Sequence, residues 1–324
     1  MDSTSNHCAL FLTNSPPQRA PNAKRFHFEA LWTKNEECRN IIESSWGMGV
    51  DLSTPEVIME NLKRCASELS SWSSSVYGHI SKIIQSKQNA LSTLTQQDKN
   101  GELSEIRNLR RELNELLKDE ELYWGQRAKA HWLKEGDRNT KFFHAHASKR
   151  CKQNTIFGLW DDHGQWCEDK DSIAQAAVGY FENIYSIAFP TRVEDVVEAI
   201  PIKVIEDMNE SLARAFTREE VTMALKQIPP TKAPGPNGMS AIFFQKYWGI
   251  VGKSVTNMVL NVLNNNLPMT EINKTNISLI PKTSSPKKKT DFRPISLCNV
   301  ICKLISKTLA NKLKNLLPLI ISEN

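Results

Sequence analysis

Apolar residues recur at three- and four-residue spacing in several long stretches, and that period binds the chain to a mainly helical fold. Leu103, Ile106, Leu109, Leu113, Leu116 and Leu117 form one such stripe, with Arg110, Arg111, Glu112, Glu115 and Lys118 on the other faces. Ile242, Phe243, Tyr247, Val251, Val255, Met258, Val259 and Val262 form a second, in a helix ending near Asn266. Ile301, Leu304, Ile305, Leu309, Leu313 and Leu316 form a third, over 300–317, closed by Pro318. Such stripes need partners. The first predicts a helical hairpin with an ordinary core; a dimeric coiled coil is the other way to cover it.

Local signals set the boundaries. A helix is expected from Phe28 to Trp46, closed by Gly47 and Gly49. Thr54-Pro55-Glu56 opens another, expected to reach Leu94, with Thr54 as N-cap. A helix over 103–135 follows. Asp161-Asp162-His163-Gly164 is a turn composition, so 155–160 and 165–167 predict a β-hairpin. Ser172 to Tyr185 is helical and Pro190 to Pro201 a connector. Thr217 and Glu220 have capping-box spacing, and Pro229-Pro230 stops that helix. The loop 231–238, a strand over 277–280, a basic loop over 282–290 and an extended run over 292–297 complete the order.

The chain has 324 residues, 40% of them hydrophobic and 24% charged, enough for about two domains with buried cores. No apolar run approaches the ~18 residues of a membrane span. The start carries no basic n-region, so the protein is expected in the nucleus or cytoplasm and not secreted. Seven cysteines without a C-x-x-C pair argue for reduced thiols. The formal net charge is +5, but it is unevenly placed. Residues 272–314 hold ten Lys/Arg and one acid, against 31 basic and 35 acidic residues elsewhere. A basic end on a slightly acidic chain predicts a polyanionic partner.

Several apparent sites fail. Gly252-Lys253-Ser254 lacks the glycine a phosphate loop needs five residues earlier, where Tyr247 stands. Asp161-Asp162 suits a solvated turn better than a two-metal pair. His144, His146 and Cys151 lack a second cluster at metal-site spacing. The basic loop is stronger. Pro281 and Pro286 stiffen a segment expected to present Lys282, Lys287, Lys288 and Lys289 to solvent, with Arg293 at the root of the next strand. Lysine charge beside an arginine fork suits phosphate or triphosphate; a solvated charge run is the plain alternative.

TKAPGPNGM (231–239), ISLIPK (277–282) and DFRPISLCNVICKLISKTLANKLK (291–314) resemble, in order and spacing, the first two blocks of the reverse transcriptase of plant LINE-type non-LTR retrotransposons. RFHFEALWTKNEECRNIIE (25–43) and YWGQRAKAHWLKEGDRNTKFFHAHASKR (123–150) resemble the linker preceding that polymerase. SNHCALFL (5–12) resembles the last block of the elements' endonuclease, with Asn6 beside His7 where an aspartate is usual. The resemblance implies an α+β, mainly α fold: a long helical linker followed by the fingers of a right-hand polymerase. It divides the chain into an endonuclease remnant (1–24), a linker (25–150), a hairpin-and-helix connector (151–216) and fingers (217–324).

It also implies roles. Arg293, and Lys282 at the end of the preceding strand, would contact the incoming dNTP. Lys287, Lys288, Lys289, Lys303 and Lys307 would contact nucleic acid. RNA template and DNA primer are the implied partners, with no membrane. Mg²⁺ is the implied cofactor of the parent RNA-directed DNA polymerase, but the palm aspartates that hold it are absent from these residues. The fragment is therefore expected to bind no metal specifically and not to catalyse polymerisation; no residue is assigned as catalytic. The usual Gly-Pro-Asp-Gly is Gly235-Pro236-Asn237-Gly238, which keeps the turn and loses its charge. A non-catalytic RNA- or DNA-binding protein and a functionless helical remnant are the competing readings.

Overall fold

The computed structural model describes residues 25–47, 53–97, 104–128, 140–186, 193–198 and 201–321. The endonuclease-like stretch 5–12 lies outside them. Among the described residues the architecture is mainly helical α+β with two small antiparallel sheets, each of two strands.

The first helical segment begins later than its composition predicts. A 3-10 turn over Ala30–Lys34 precedes α1, Glu36–Trp46. Asn35 is extended between them, and its side chain accepts from Glu37 N at 2.9 Å, so it restarts the helix as an N-cap. Thr54 caps α2, Pro55–Val76, as expected. The expected run to Leu94 is broken. α2 stops at Val76 and α3 occupies Ile80–Gln97. Tyr77 packs edge-on against Trp72 at 5.6 Å, and a Cβ on Gly78 would stand 2.2 Å from the Ser74 carbonyl oxygen. A glycine-dependent turn held by an aromatic contact thus replaces helix.

α4 spans Ser104–Ala128; residues 129–135 of the expected helix lie outside the described residues. α3 and α4 pack antiparallel, as the contacts Ser81–Glu120 and Lys87–Glu112 require. Ile84, Ile106 and Leu113 are the buried seam of this hairpin. α5, Thr140–Gln153, packs on α4.

The β-hairpin forms where predicted. β1, Leu159–Trp160, pairs with β2, Trp166–Cys167. Asp161 Oδ1 accepts from His163 N and Gln165 N at 2.9 and 2.7 Å, and Gly164 takes φ +75. That Asx turn needs a glycine for its left-handed residue. α6, Lys170–Tyr185, starts on Asp169, whose carboxylate accepts from two backbone N–H groups. The expected connector contains a helix, α7, Val193–Glu198, and α8, Glu206–Ala213, follows. α8 buries none of its residues, so no apolar stripe announced it. α9, Arg218–Gln227, carries the full capping box of Thr217 and Glu220.

The second apolar stripe is two helices, α10 (Ala241–Lys246) and α11 (Trp248–Asn265), divided at Tyr247. β3, Thr275–Pro281, and β4, Phe292–Cys298, pair antiparallel. α12 covers Val300–Lys314, and Pro318 lies in the first turn of a last short helix, α13, Leu317–Ile320, rather than ending the helix. Val300, Ile301, Leu304 and Ile305 are buried, whereas Leu309 and Leu313 are exposed.

One hydrophobic core joins α1 and α2 to α9, α10, α11 and α12. Residues on either side of the expected linker–fingers division therefore share a single interior. Phe28 is its hinge: fully buried, with ring contacts to Trp32, Phe243 and Tyr247 at 5.3, 5.4 and 6.3 Å. The Tyr247 hydroxyl donates to Cys38 Sγ at 3.3 Å, and Trp46 Nε1 donates to Ser254 Oγ at 3.0 Å. Burial pushes the Cys38 and Cys65 thiols up to about 11 and about 12, so both are neutral packing groups. The end of α4 grips the same segment. Arg127 forks onto the buried Glu29 carboxylate at 2.7 and 3.0 Å, and Gln126 bonds both Phe28 O and Ala30 N.

Candidate nucleic-acid interface

The β3–β4 ribbon carries the basic loop. Phe292, 2% exposed, anchors its root, opposite Pro281 in the register. Side chains alternate along a strand, so Arg293, opposite Ile280, turns the other way. Arg293 is exposed and its guanidinium makes no hydrogen bond or ion pair with the described residues. Ile277 and Ile295 are also exposed, on opposite faces, so neither face of the ribbon is fully covered.

Asp291 organises the loop. One carboxylate oxygen accepts from Lys287 N and Lys288 N at 3.0 and 2.9 Å, and these bonds hold the carboxyl below the usual range. Its carbonyl accepts from Lys282 N at 2.7 Å. The Lys282 ammonium folds back onto Thr290 O at 2.8 Å but stays exposed. Lys287 and Lys288 are exposed beside it.

Lys289 departs from expectation. It is 8% exposed, bonded through Nζ to Asp162 Oδ1, with its ammonium 5.5 Å from the Tyr180 ring centroid. A buried ammonium must be paired, and the Asp162 carboxylate, on a distant turn, supplies the pair. Trp160 N adds a backbone bond to Lys287 O at 2.9 Å. The loop thus presents three lysines to solvent rather than four. The fourth pins it to the β1–β2 hairpin and α6. Asp161 and Asp162 are used in the turn and in this pin.

Behind the ribbon, the 231–238 loop is locked to the start of α12. A Cβ on Gly235 would stand 2.4 Å from Asn299 N. Asn299 is fully buried; its amide donates to Ile272 O at 3.1 Å and its oxygen accepts from Asn237 N at 3.3 Å. Asn237 Oδ1 accepts from Met239 N at 3.1 Å, so the asparagine keeps the turn, while its Nδ2 is buried without a partner. Lys303 donates to Ala233 O at 2.8 Å, which makes it a clasp on this loop. Lys307 is half-buried one turn further on.

Lys282, Lys287 and Lys288 are therefore gathered around Asp291, with Arg293 exposed two residues along β4, Lys289 turned inward and Lys303 engaged by the 231–238 loop. Asp291, Asn299 and Asp162 hold this arrangement and were not singled out for that role by composition. Asp291 was visible as the acid inside a basic run and as the first residue of the 291–314 block, not as the organiser of the loop. Among the described residues no group of three His, Cys, Asp or Glu side chains is placed to hold a metal ion, and no helix is long and apolar enough to cross a membrane.

No family model matches the chain. Over 197 residues, 60% of its length, it is 26% identical to the transposon TX1 uncharacterized 149 kDa protein of Xenopus laevis. The chain spans about 15% of that protein. It is thus similar to a segment of a transposon protein.

Proposed function

We propose that residues 217–321 are the fingers of a LINE-type RNA-directed DNA polymerase, and that their basic edge receives a single-stranded RNA template. The observation that carries this reading is the pinned loop. Lys282, Lys287 and Lys288 are held in place by Asp291 and the Lys289–Asp162 pair beside an exposed, unengaged Arg293. Three ammonium groups on a fixed support suit a chain of phosphates without reading base sequence. The similarity to a transposon protein and the motif order point the same way.

Arg293 is assigned to the triphosphate of an incoming nucleotide, where a planar guanidinium can meet two phosphate oxygens at once in fork geometry. The side chains placed here do not fit a Mg²⁺ pair: Asp161 is consumed by backbone N–H groups and Asp162 by Lys289. Phosphoryl transfer is therefore assigned to none of these residues.

Affinity for a single-stranded RNA, measured against salt, tests the proposal. Lys287→Ala with Lys288→Ala should lower the salt slope by about 0.7 per lysine, about 1.4 in all, whatever the RNA sequence. Arg293→Ala should leave RNA affinity nearly unchanged. An unchanged slope in the double variant would assign these lysines to a solvated surface, and a large RNA-binding loss from Arg293→Ala would overturn the triphosphate role.

A further inference from the structure

The hairpin that pins the basic loop carries exposed aromatic rings. Trp160 is 41% exposed and Phe157 is 76% exposed, whereas Leu159 between them is fully buried. Trp160 and Trp166 are direct cross-strand partners, so their rings share one face, with centroids 5.2 Å apart at 62°. Trp166 is itself held: its indole N–H donates to Glu168 Oε1 at 2.9 Å, and its ring lies so close over Gly158 that a Cβ there would approach to 2.5 Å. Trp160 therefore has a fixed ring behind it and solvent in front. Its backbone N–H reaches Lys287 O at 2.9 Å, which sets the main chain of the hairpin beside that of an exposed lysine.

We propose that Trp160 is a stacking platform for a base of the single-stranded nucleic acid whose phosphates lie on Lys287 and Lys288. This rests on the function proposed above for the loop and adds a second element to it. A base and its own phosphate are one sugar apart, and the backbones that carry the indole and the lysine are one hydrogen bond apart. Stacking accepts any base, because every base has a π-face, and it requires an open strand. The charge of the adjoining loop favours a polyanion over an acidic or neutral protein surface, while the hairpin's own acids Asp161, Asp162, Glu168 and Asp169 each accept from a donor within the protein. The turn's two aspartates are engaged internally and by Lys289, and Lys282, Lys287, Lys288 and Arg293 extend the edge as positive charge.

The test is a cycle on the full chain. Trp160→Ala and wild type are titrated with an oligouridine and with an oligomer of the same length carrying abasic positions, which keeps phosphates and removes rings. Trp160→Ala should weaken binding of the oligouridine by about tenfold, within the range expected for loss of one base stack. It should bind the abasic oligomer as wild type does, with an unchanged salt slope. Trp160→Phe should recover most of the affinity, which a general loss of fold would not allow. Equal losses on both oligomers would show a merely structural indole and overturn the proposal. Unchanged binding of the oligouridine would also overturn it and leave the ring to another occupant, such as a protein surface. If the Lys287/Lys288 double variant then still loses salt slope, the loop's role stands without the platform. If it does not, both fall.

Discussion

Phe28→Ala should cost about 3–5 kcal/mol of folding stability, read as a shift in denaturant midpoint at unchanged slope. The phenylalanine lies more than 200 residues from Phe243 and Tyr247, yet it is fully buried against both and beside Trp32. Truncation removes the transfer energy of the ring and leaves a cavity between two parts of the chain that meet in this core. A loss of that size is a large fraction of the ~5–15 kcal/mol typical of a domain. Phe157→Ala is the control. Its ring is 76% exposed, so stability should move by no more than ~0.5 kcal/mol. A small effect at Phe28 would mean that residues 25–47 do not share the interior of residues 217–305.

Gly238→Ala should be destabilising for a different reason. Gly238 has φ +73, which costs an alanine roughly 1–2 kcal/mol, and the new Cβ would stand 2.1 Å from the Phe26 carbonyl oxygen. Backbone cannot yield as a flexible side chain does. The substitution must therefore push residues 26–28 away and stretch the bond from Phe28 N to Gly238 O, now 3.0 Å. The combined loss should exceed the conformational cost alone and should be partly shared with Phe28→Ala, so the double variant should be less than additive. Gly179→Ala has the opposite sign. That glycine is helical and exposed with open space at its Cβ, so alanine should stabilise by about 1 kcal/mol.

Elements written in local chemistry were legible. Thr217 and Glu220 specify the start of α9 within four residues, and Asp161 to Gly164 specify the hairpin turn in the same way. The strands flanking the basic loop and the cap at Thr54 belong to the same class. Breaks imposed from a distance were not legible. The apolar stripe runs through Tyr247 without interruption, but the hydroxyl reaching Cys38 and the ring packing on Phe28 and Phe243 turn the chain there. Tyr77 against Trp72 divides α2 from α3 likewise. At the basic edge, charge marked the lysines and Arg293, and the resemblance assigned Arg293 to the triphosphate. It could not mark Lys289 as the inward one, because its partner Asp162 is 127 residues away. Asn299 was equally silent, since a lone asparagine before a helix reads as a cap and here serves as a buried clasp for two loops.

The most direct measurement is where RNA touches the protein. Ultraviolet cross-linking of the full chain to an oligouridine, followed by peptide mapping, should place the cross-links within residues 282–293 and the neighbouring hairpin 157–166. The yield should fall with rising salt as phosphate contacts are lost. Cross-links concentrated on the α3–α4 hairpin, or spread evenly without regard to the basic edge, would contradict the account.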